Sequence, residues 1–318
     1  MARVRLSAWT RATPDELVAH LRAADPAALV HAIREASDES LVTLVHDVGR
    51  GRAVVEVVTS RIGDLAVPAQ RDGVRGVVRW ESGDPALAAT VRFADGVVEP
   101  VTDAGERPDL VVRGSLVQLL RLVAGQLEIA VAYLGRSLEI EGDSALALAL
   151  AGLFAADGTA PLTGVPVDPR DINPLDVSRA LHGVDIDHLR SVLASGFRPV
   201  VLDEIFSRMP AHVNGRKAAG ARITVGFRLT GRPDGEVDRY VLRLSDGQAT
   251  VLAGEAADAV GPDDRDATVT CEAHDFLRLV TGHLSAITGV LRGQLRVRGD
   301  KAAALRLATA FDIPKAAA

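Results

Sequence analysis

The sequence predicts an α+β fold made of two similar modules, each a sheet covered by helices, and three observations predict it. The first is self-similarity at a constant spacing. Asp109 to Leu127 aligns without a gap on Asp266 to Leu284, and the same spacing carries Leu134 onto Leu291, Leu138 onto Leu295, Gly142 and Asp143 onto Gly299 and Asp300, and Phe154 onto Phe311. Roughly two positions in five match along this stretch, too many for chance at one offset. The second is a pair of alternating apolar runs, Ala88 to Phe93 and Tyr240 to Leu244, that lead into Asp95-Gly96 and Asp246-Gly247. Asp-Gly after an alternating run is the strongest short-range sign of an antiparallel hairpin. The third is a series of capped helix starts, of which Thr13-Pro14-Asp15-Glu16 is the clearest.

Taken in order, the first module opens with helices. The capping box at Thr13 starts one, Asp25-Pro26 repeats the device ahead of Leu29, Val30 and Ile33, and a third from about Asp38 to Val48 sets Leu41, Leu44, Val45 and Val48 on one face. The second module answers with Leu189, Val192 and Leu193. His46-Asp47 and Arg50-Gly51-Arg52 read as a polar helix end and its loop, and Arg52 to Val55 aligns with Arg198 to Val201. Strands follow over Val74 to Trp80 and Ala88 to Phe93, and over Ile223 to Leu229 and Tyr240 to Leu244. Leu110 to Val112 and Ala267 to Thr270 are further strands, each feeding a helix, Leu116 to Val123 or His274 to Val280. A last strand, Leu138 to Ile140 or Leu295 to Val297, ends at Gly-Asp, where Asp143 or Asp300 is placed to cap a closing helix, Ala145 to Phe154 or Ala302 to Phe311.

At 318 residues the chain exceeds a single core, and a prior of roughly 150 residues per domain gives two domains. The expected boundaries are 1–154 for the first module with its helices, 155–174 for a linker carrying Gly158, Pro161, Gly164, Pro166, Pro169 and Pro174, and 175–318 for the second. A formal net charge of -6 argues against nucleic acid as a partner. One cysteine, Cys271, rules out an internal disulfide and suits a reducing, cytoplasmic setting. The N-terminus shows no apolar signal region, and the longest apolar run, Ala145 to Ala156, is short of the roughly 20 residues of a membrane span. That run holds no charge, which predicts a helix buried all round, in contact with the other module or with a second chain, or deep in its own module.

Phe276-Leu277-Arg278-Leu279-Val280-Thr281-Gly282-His283-Leu284, followed by Leu291-Arg292-Gly293-Gln294-Leu295 and Gly299-Asp300, resembles the C-terminal half of the sterol carrier protein type 2 domain. Val201 to Pro210 resembles the leading helix of its bacterial versions. The first module keeps Leu122, Val123, Gly125, Leu127, Leu138, Gly142 and Asp143, but has Leu119 for the aromatic, Ala124 for the threonine and Arg136 for Gly293. The resemblance implies a tandem of such domains, each a five-stranded mixed sheet with helices enclosing an apolar tunnel for a sterol, fatty acid or acyl thioester. Some bacterial members serve instead as oligomerisation or accessory modules.

The residues expected to line a ligand space are Phe206, Phe227, Phe276, Leu279, Val280, Ile287, Leu291, Leu305 and Phe311 in the second module. In the first they are Leu119, Leu122, Val123, Leu134, Leu148 and Phe154. The same residues would also make an ordinary close-packed core. Catalytic residues, a metal and a cofactor are not expected. Ser115 and Ser144 lack a nucleophile elbow, and the spacings of His182 with His188 and His274 with His283 are wrong for a one-turn metal pair. Gly261 to Asp266 is acidic without calcium-loop spacing. The expectation is therefore non-catalytic binding of a hydrophobic small molecule or lipid, with a structural or oligomerisation module and an accessory or enzyme role on a hydrophobic metabolite as alternatives.

Overall fold

In the computed structural model, residues 9–67, 71–83, 86–102, 105–154 and 174–313 are described. The expected 155–174 linker lies outside them apart from Pro174, as does the N-terminal stretch ahead of Trp9. The chain divides into two compact units, residues 1–171 and 172–318. Each is an α+β unit holding one five-stranded mixed sheet.

The first unit begins with helices α1 (Pro14–Ala23), α2 (Pro26–Glu35), α3 (Asp38–Val45), α4 (Val48–Ser60) and the single turn α5 (Ile62–Leu65). Thr13 closes the capping box on Glu16, and Asp25 caps α2 through the Ala28 amide at 3.0 Å. The Asp47–Arg52 stretch corrects the expectation of a helix end and loop. The Asp47 side chain accepts the Arg50 amide at 2.9 Å and so starts α4, with Arg50, Gly51 and Arg52 in its first turn. The Arg50 guanidinium then reaches back to the Thr10 and Ala12 carbonyls at 2.7 and 2.6 Å, tying the chain before α1 to α4. Helix α4 packs across the sheet over β2 (Ala86–Ala94) and β3 (Val97–Pro100), and α1 packs on α4.

The remaining elements of this unit are β1 (Gly76–Gly83), β4 (Leu110–Arg113), α6 (Leu116–Val123), α7 (Ile129–Leu134), β5 (Glu139–Gly142) and α8 (Ser144–Leu153). The sheet order is β3-β2-β1-β4-β5, with only the β1–β4 pair parallel.

The second unit runs α9 (Pro174–Ala180), α10 (Ile186–Leu193), α11 (Phe197–Arg208), a 3-10 turn (Met209–His212), β6 (Arg222–Thr230), β7 (Asp238–Ser245), β8 (Gln248–Ala253) and the short α12 (Glu255–Asp258). It closes with β9 (Ala267–Glu272), α13 (Ala273–Val280), α14 (Ala286–Leu291), β10 (Arg296–Gly299) and α15 (Lys301–Thr309). Its order, β8-β7-β6-β9-β10, repeats the first, and again only the central pair, β6–β9, is parallel.

The internal spacing read from the sequence reappears as geometry. Leu110 faces Gly142 and Ala267 faces Gly299, so the two C-terminal ladders share one register. Both hairpins turn on an Asp-Gly pair with positive φ at each position, 50° and 77° for Asp95-Gly96, 51° and 80° for Asp246-Gly247, the geometry that matches strand twist. Upstream the likeness fails. Arg52 is exposed while Arg198 is buried at 4%, and Val54 is buried while Val200 is 43% exposed, so the Arg52–Val55 and Arg198–Val201 stretches occupy different environments.

The buried guanidinium of Arg198 is spent on local structure. It meets Asp238 at 2.7 Å and the carbonyls of Leu193, Leu229 and Thr230, joining α11 to the ends of α10 and β6. Helix α8 also departs from expectation. It buries Leu146, Ala147, Leu150 and Leu153, but leaves Ala145 exposed and Leu148, Ala149, Ala151 and Gly152 half-buried. An uncharged helix of small residues can rest on a sheet by one face, so burial all round is not required.

Candidate functional site

Between the sheet and the helices of the second unit lies a cavity of about 370 Å³. Its floor follows from the period-two geometry of strands: Val225 and Phe227 on β6, Val269 on β9 and Val297 on β10 all point to the helical side. Its walls come from α13, α14, α15 and the end of α11.

Of the residues expected from sequence, Phe227, Phe276, Leu279, Val280, Ile287, Leu291, Leu305 and Phe311 line this space. Phe206 does not. It is 1% exposed and sits behind the wall, stacked on Phe276 with ring centroids 4.9 Å apart and on Tyr240 at 3.7 Å. Phe227 completes the aromatic group at 5.5 Å from Phe276. The Tyr240 hydroxyl donates to Asp203 at 3.0 Å, and burial together with that carboxylate raises its pKa. This block backs the cavity with stacked and edge-on aromatic contacts.

Sequence reasoning missed several lining residues. Val225 and Val269 are findable, since they share a strand face with Phe227 and with the cavity floor. Glu204, Arg208, His212, Lys301 and Asp312 are not, because no local pattern tells which way a polar side chain on a half-buried helix points. Glu204 and Arg208 form an ion pair one turn apart on α11. Asp312 takes hydrogen bonds from Asn214 at 2.9 Å and Lys217 at 3.0 Å, which hold its carboxyl below the usual range. The remaining wall is aliphatic or aromatic, apart from Thr281, whose hydroxyl is turned onto the Leu277 carbonyl at 2.7 Å.

The first unit handles the corresponding positions differently. Leu119, Leu122, Val123, Leu134 and Phe154 are all less than 5% exposed, and only Leu148 is half-buried. Helices α2 and α3 pack on α6 and cover it. Arg121 fixes that cover by bonding the Ile33 and Ala36 carbonyls at 3.0 and 2.8 Å, and Arg34 adds the Ala124 carbonyl at 2.6 Å. In the second unit α10 packs on α13, and α9 is tied to the loop after it. Ser178 donates to the Thr281 carbonyl at 2.9 Å, and the His283 ring meets the Ser178 carbonyl at 2.8 Å.

The titratable groups nearby are structural in their contacts. His274 is buried between Glu272 at 3.1 Å and Asp275 at 3.5 Å, and burial lowers its pKa against the pull of both carboxylates. Cys271 is buried, and desolvation first, then Asp275 and Glu272, pushes its thiol up to about 12, far from a reactive thiolate. Among the described residues no group of His, Cys, Asp and Glu is arranged to hold a metal ion, and no helix is long and apolar enough to cross a membrane.

Residues 60–155 match the SCP-2 sterol transfer family, and residues 196–317 match the alkyl sulfatase C-terminal family. The sequence matches none of the curated proteins. Among solved structures it is similar to a double mutant of a sec-alkyl sulfatase, at 16% identity and a TM-score of 0.31 over 46% of this chain and 25% of that one. It is also similar to sterol carrier protein domain 2 of Helicoverpa armigera, at 19% identity and 0.28 over 34% of this chain and 81% of that one. Sterol carrier protein-2 like-3 of Aedes aegypti gives 24% and 0.27 over 35% of this chain and 93% of that one. The chain thus spans about a quarter of the sulfatase's length. The sequence motifs put the closer sterol-carrier resemblance in the second module, whereas the family matches divide the chain otherwise: it carries an SCP2-like domain over residues 60–155, followed by a region similar to the C-terminal part of alkyl sulfatases.

Proposed function

We propose that this protein binds an apolar or amphipathic small molecule, such as a lipid or acyl chain, in the cavity of its second unit, without covalent chemistry. The observation that carries the reading is the cavity itself, about 370 Å³ with an aliphatic and aromatic wall, inside the roughly 300–1,000 Å³ span of small-molecule sites. A ligand losing about 300 Å² of apolar surface there gains on the order of 7 kcal/mol before ordering costs, so useful affinity needs no elaborate polar recognition. The match of residues 60–155 to a sterol transfer family supports the lipid class, although the open space lies in the other unit.

A second reading follows from the alkyl sulfatase match over 196–317. On that reading the second unit is an accessory module that holds the hydrophobic part of a substrate for an enzyme. Native mass spectrometry of the purified full chain, with titration of a fluorescent polyene fatty acid, tests the first reading. Saturable one-to-one binding supports it, and a chain that neither carries a lipid nor takes the probe overturns it. Turnover of an alkyl sulfate by the chain, alone or with a partner, would favour the second.

A further inference from the structure

Helix α14 is the same element as α7, displaced by a fixed number of residues, yet the two are seated differently. In the first unit α7 buries Ile129, Ala132 and Leu134, with Leu134 only 4% exposed. In the second, α14 buries only Gly289, and Ile287, Val290 and Leu291 are 59%, 40% and 82% exposed. Their spacing of three and four residues puts them on one helix face, and all three also line the cavity. Leu305, 41% exposed on α15, stands at the same opening. Four large apolar side chains thus crowd one rim, an arrangement that marks an interaction surface more than a folding need.

The charge around this rim selects the partner. Arg292 follows Leu291 directly, and Lys301 precedes Leu305 by one turn on α15 and lines the cavity with it, whereas Arg296 and Arg298 flank Val297 on β10 and face the other side of the sheet. Arg292 and Lys301 are both exposed, and neither has an acidic partner among the described residues. The one acid in the stretch, Asp300, caps α15 and lies 3.6 Å from Arg306. The chain as a whole is acidic, at -6. In the first unit, where the helix is tucked in, the positions of Arg292 and Lys301 carry the uncharged Gly135 and Ser144. The fold therefore requires neither the exposed apolar face nor the basic collar.

We infer that this rim is a docking surface for an anionic lipid bilayer, with Ile287, Val290, Leu291 and Leu305 entering the interface and Arg292 and Lys301 facing the head groups. An apolar face flanked by cations is what an interfacial helix presents to such a membrane. Docking there turns the cavity opening toward the acyl region, so that a lipid passes between bilayer and protein without crossing water. The inference rests on the cavity reading for its purpose, but it is tested separately.

The test is flotation of the full chain with phosphatidylcholine vesicles and with phosphatidylcholine–phosphatidylglycerol vesicles, read beside titration of the polyene fatty acid in vesicle-free buffer. Binding is expected to the anionic vesicles, to weaken with added salt, and to fall about tenfold or more in Leu291→Ser and in the pair Arg292→Glu with Lys301→Glu. Both changes fall on exposed side chains, and Leu134→Ser in the first unit serves as a control for general loss of stability. No binding to anionic vesicles, or binding unchanged in both variants, overturns the docking surface even if the fatty acid binds in solution. Loss of the solution titration with vesicle binding intact overturns the cavity reading and leaves the surface standing.

Discussion

The Asp300 amide donates to the Asp266 carbonyl at 2.7 Å, and the Asp266 carboxylate in turn accepts the Thr224 amide at 2.7 Å, so two aspartates knit the end of β10 to the start of β9 and to β6. Asp143 and Asp109 repeat the first link at 2.9 Å, and Asp109 accepts the Val77 amide at 2.8 Å. In both units a glycine precedes the capping aspartate, Gly299 with φ 83° and Gly142 with φ 106°, and a Cβ at either would press into the carbonyl oxygen of Asp266 or Asp109. Gly299→Ala and Gly142→Ala are each expected to cost about 1–3 kcal/mol or more, as strained backbone and a broken link combine. Urea unfolding with tryptophan and far-UV signals measures the loss, and a cost below about 0.5 kcal/mol in both would remove the link from the stability of the fold.

Arg198 offers a sharper case. Its side chain is buried, with one carboxylate and three carbonyls on it, and Asp238 is mostly buried as well. Arg198→Ala should cost about 3–5 kcal/mol, because it breaks a buried ion pair, leaves Asp238 with Arg232 alone at 3.0 Å, and strips three carbonyls of their donor. Arg198→Ala with Asp238→Asn should cost less than Arg198→Ala alone. A double variant no more stable than the single one would show that the carbonyl contacts, and not the ion pair, hold α11 in place.

His274 sets a pH dependence. Burial lowers its pKa below the free value of about 6.5, so between the folded and free values the unfolded chain holds a proton that the folded chain lacks. Stability from this group is therefore fully present above about pH 6.5 and is lost as pH falls through that window. The groups facing it are Glu272, Asp275, Arg190 and Arg278. Urea midpoints at about pH 7.5 and about pH 5.5 should differ more for the native chain than for His274→Gln, and equal differences would place the acid sensitivity elsewhere.

The two units predict opposite responses to filling. Ala304 is half-buried and lines the cavity, whereas Ala147, at the same place in α8, is 0% exposed. Ala304→Trp should leave the melting temperature within a few degrees of the native value while reducing fatty acid probe binding about tenfold or more. Ala147→Trp should destabilise the first unit by about 1–3 kcal/mol or more, as overpacking of a filled core does. Equal destabilisation by both would mean that the second unit has no usable space at Ala304.

The strands, the Asp-Gly hairpins, the capped helices α1, α2, α8 and α15 and the repeated C-terminal half are local in origin. They depend on alternation, on side chains that can reach nearby amides, and on residues that tolerate positive φ, all of which a linear sequence displays. The α4 start at Asp47 was hidden because Asp47-Val48-Gly49-Arg50-Gly51 has two glycines in what becomes a first helical turn, and only tertiary packing on α1 and the sheet offsets their cost.

The apolar candidates were legible as apolar; whether they enclosed space was not. Leu134 and Leu291 are the same residue in the same register, yet one is 4% and the other 82% exposed. The difference is one of seating: α7 turns Leu134 into the first unit, whereas α14 leaves Leu291 at the surface of the second. By itself the sequence determined the elements and their repeat, because these follow from contacts a few residues apart. Only the tertiary structure decided that the second copy holds a cavity behind Phe276 and α14, because empty volume is a property of how distant segments meet and no residue carries it alone.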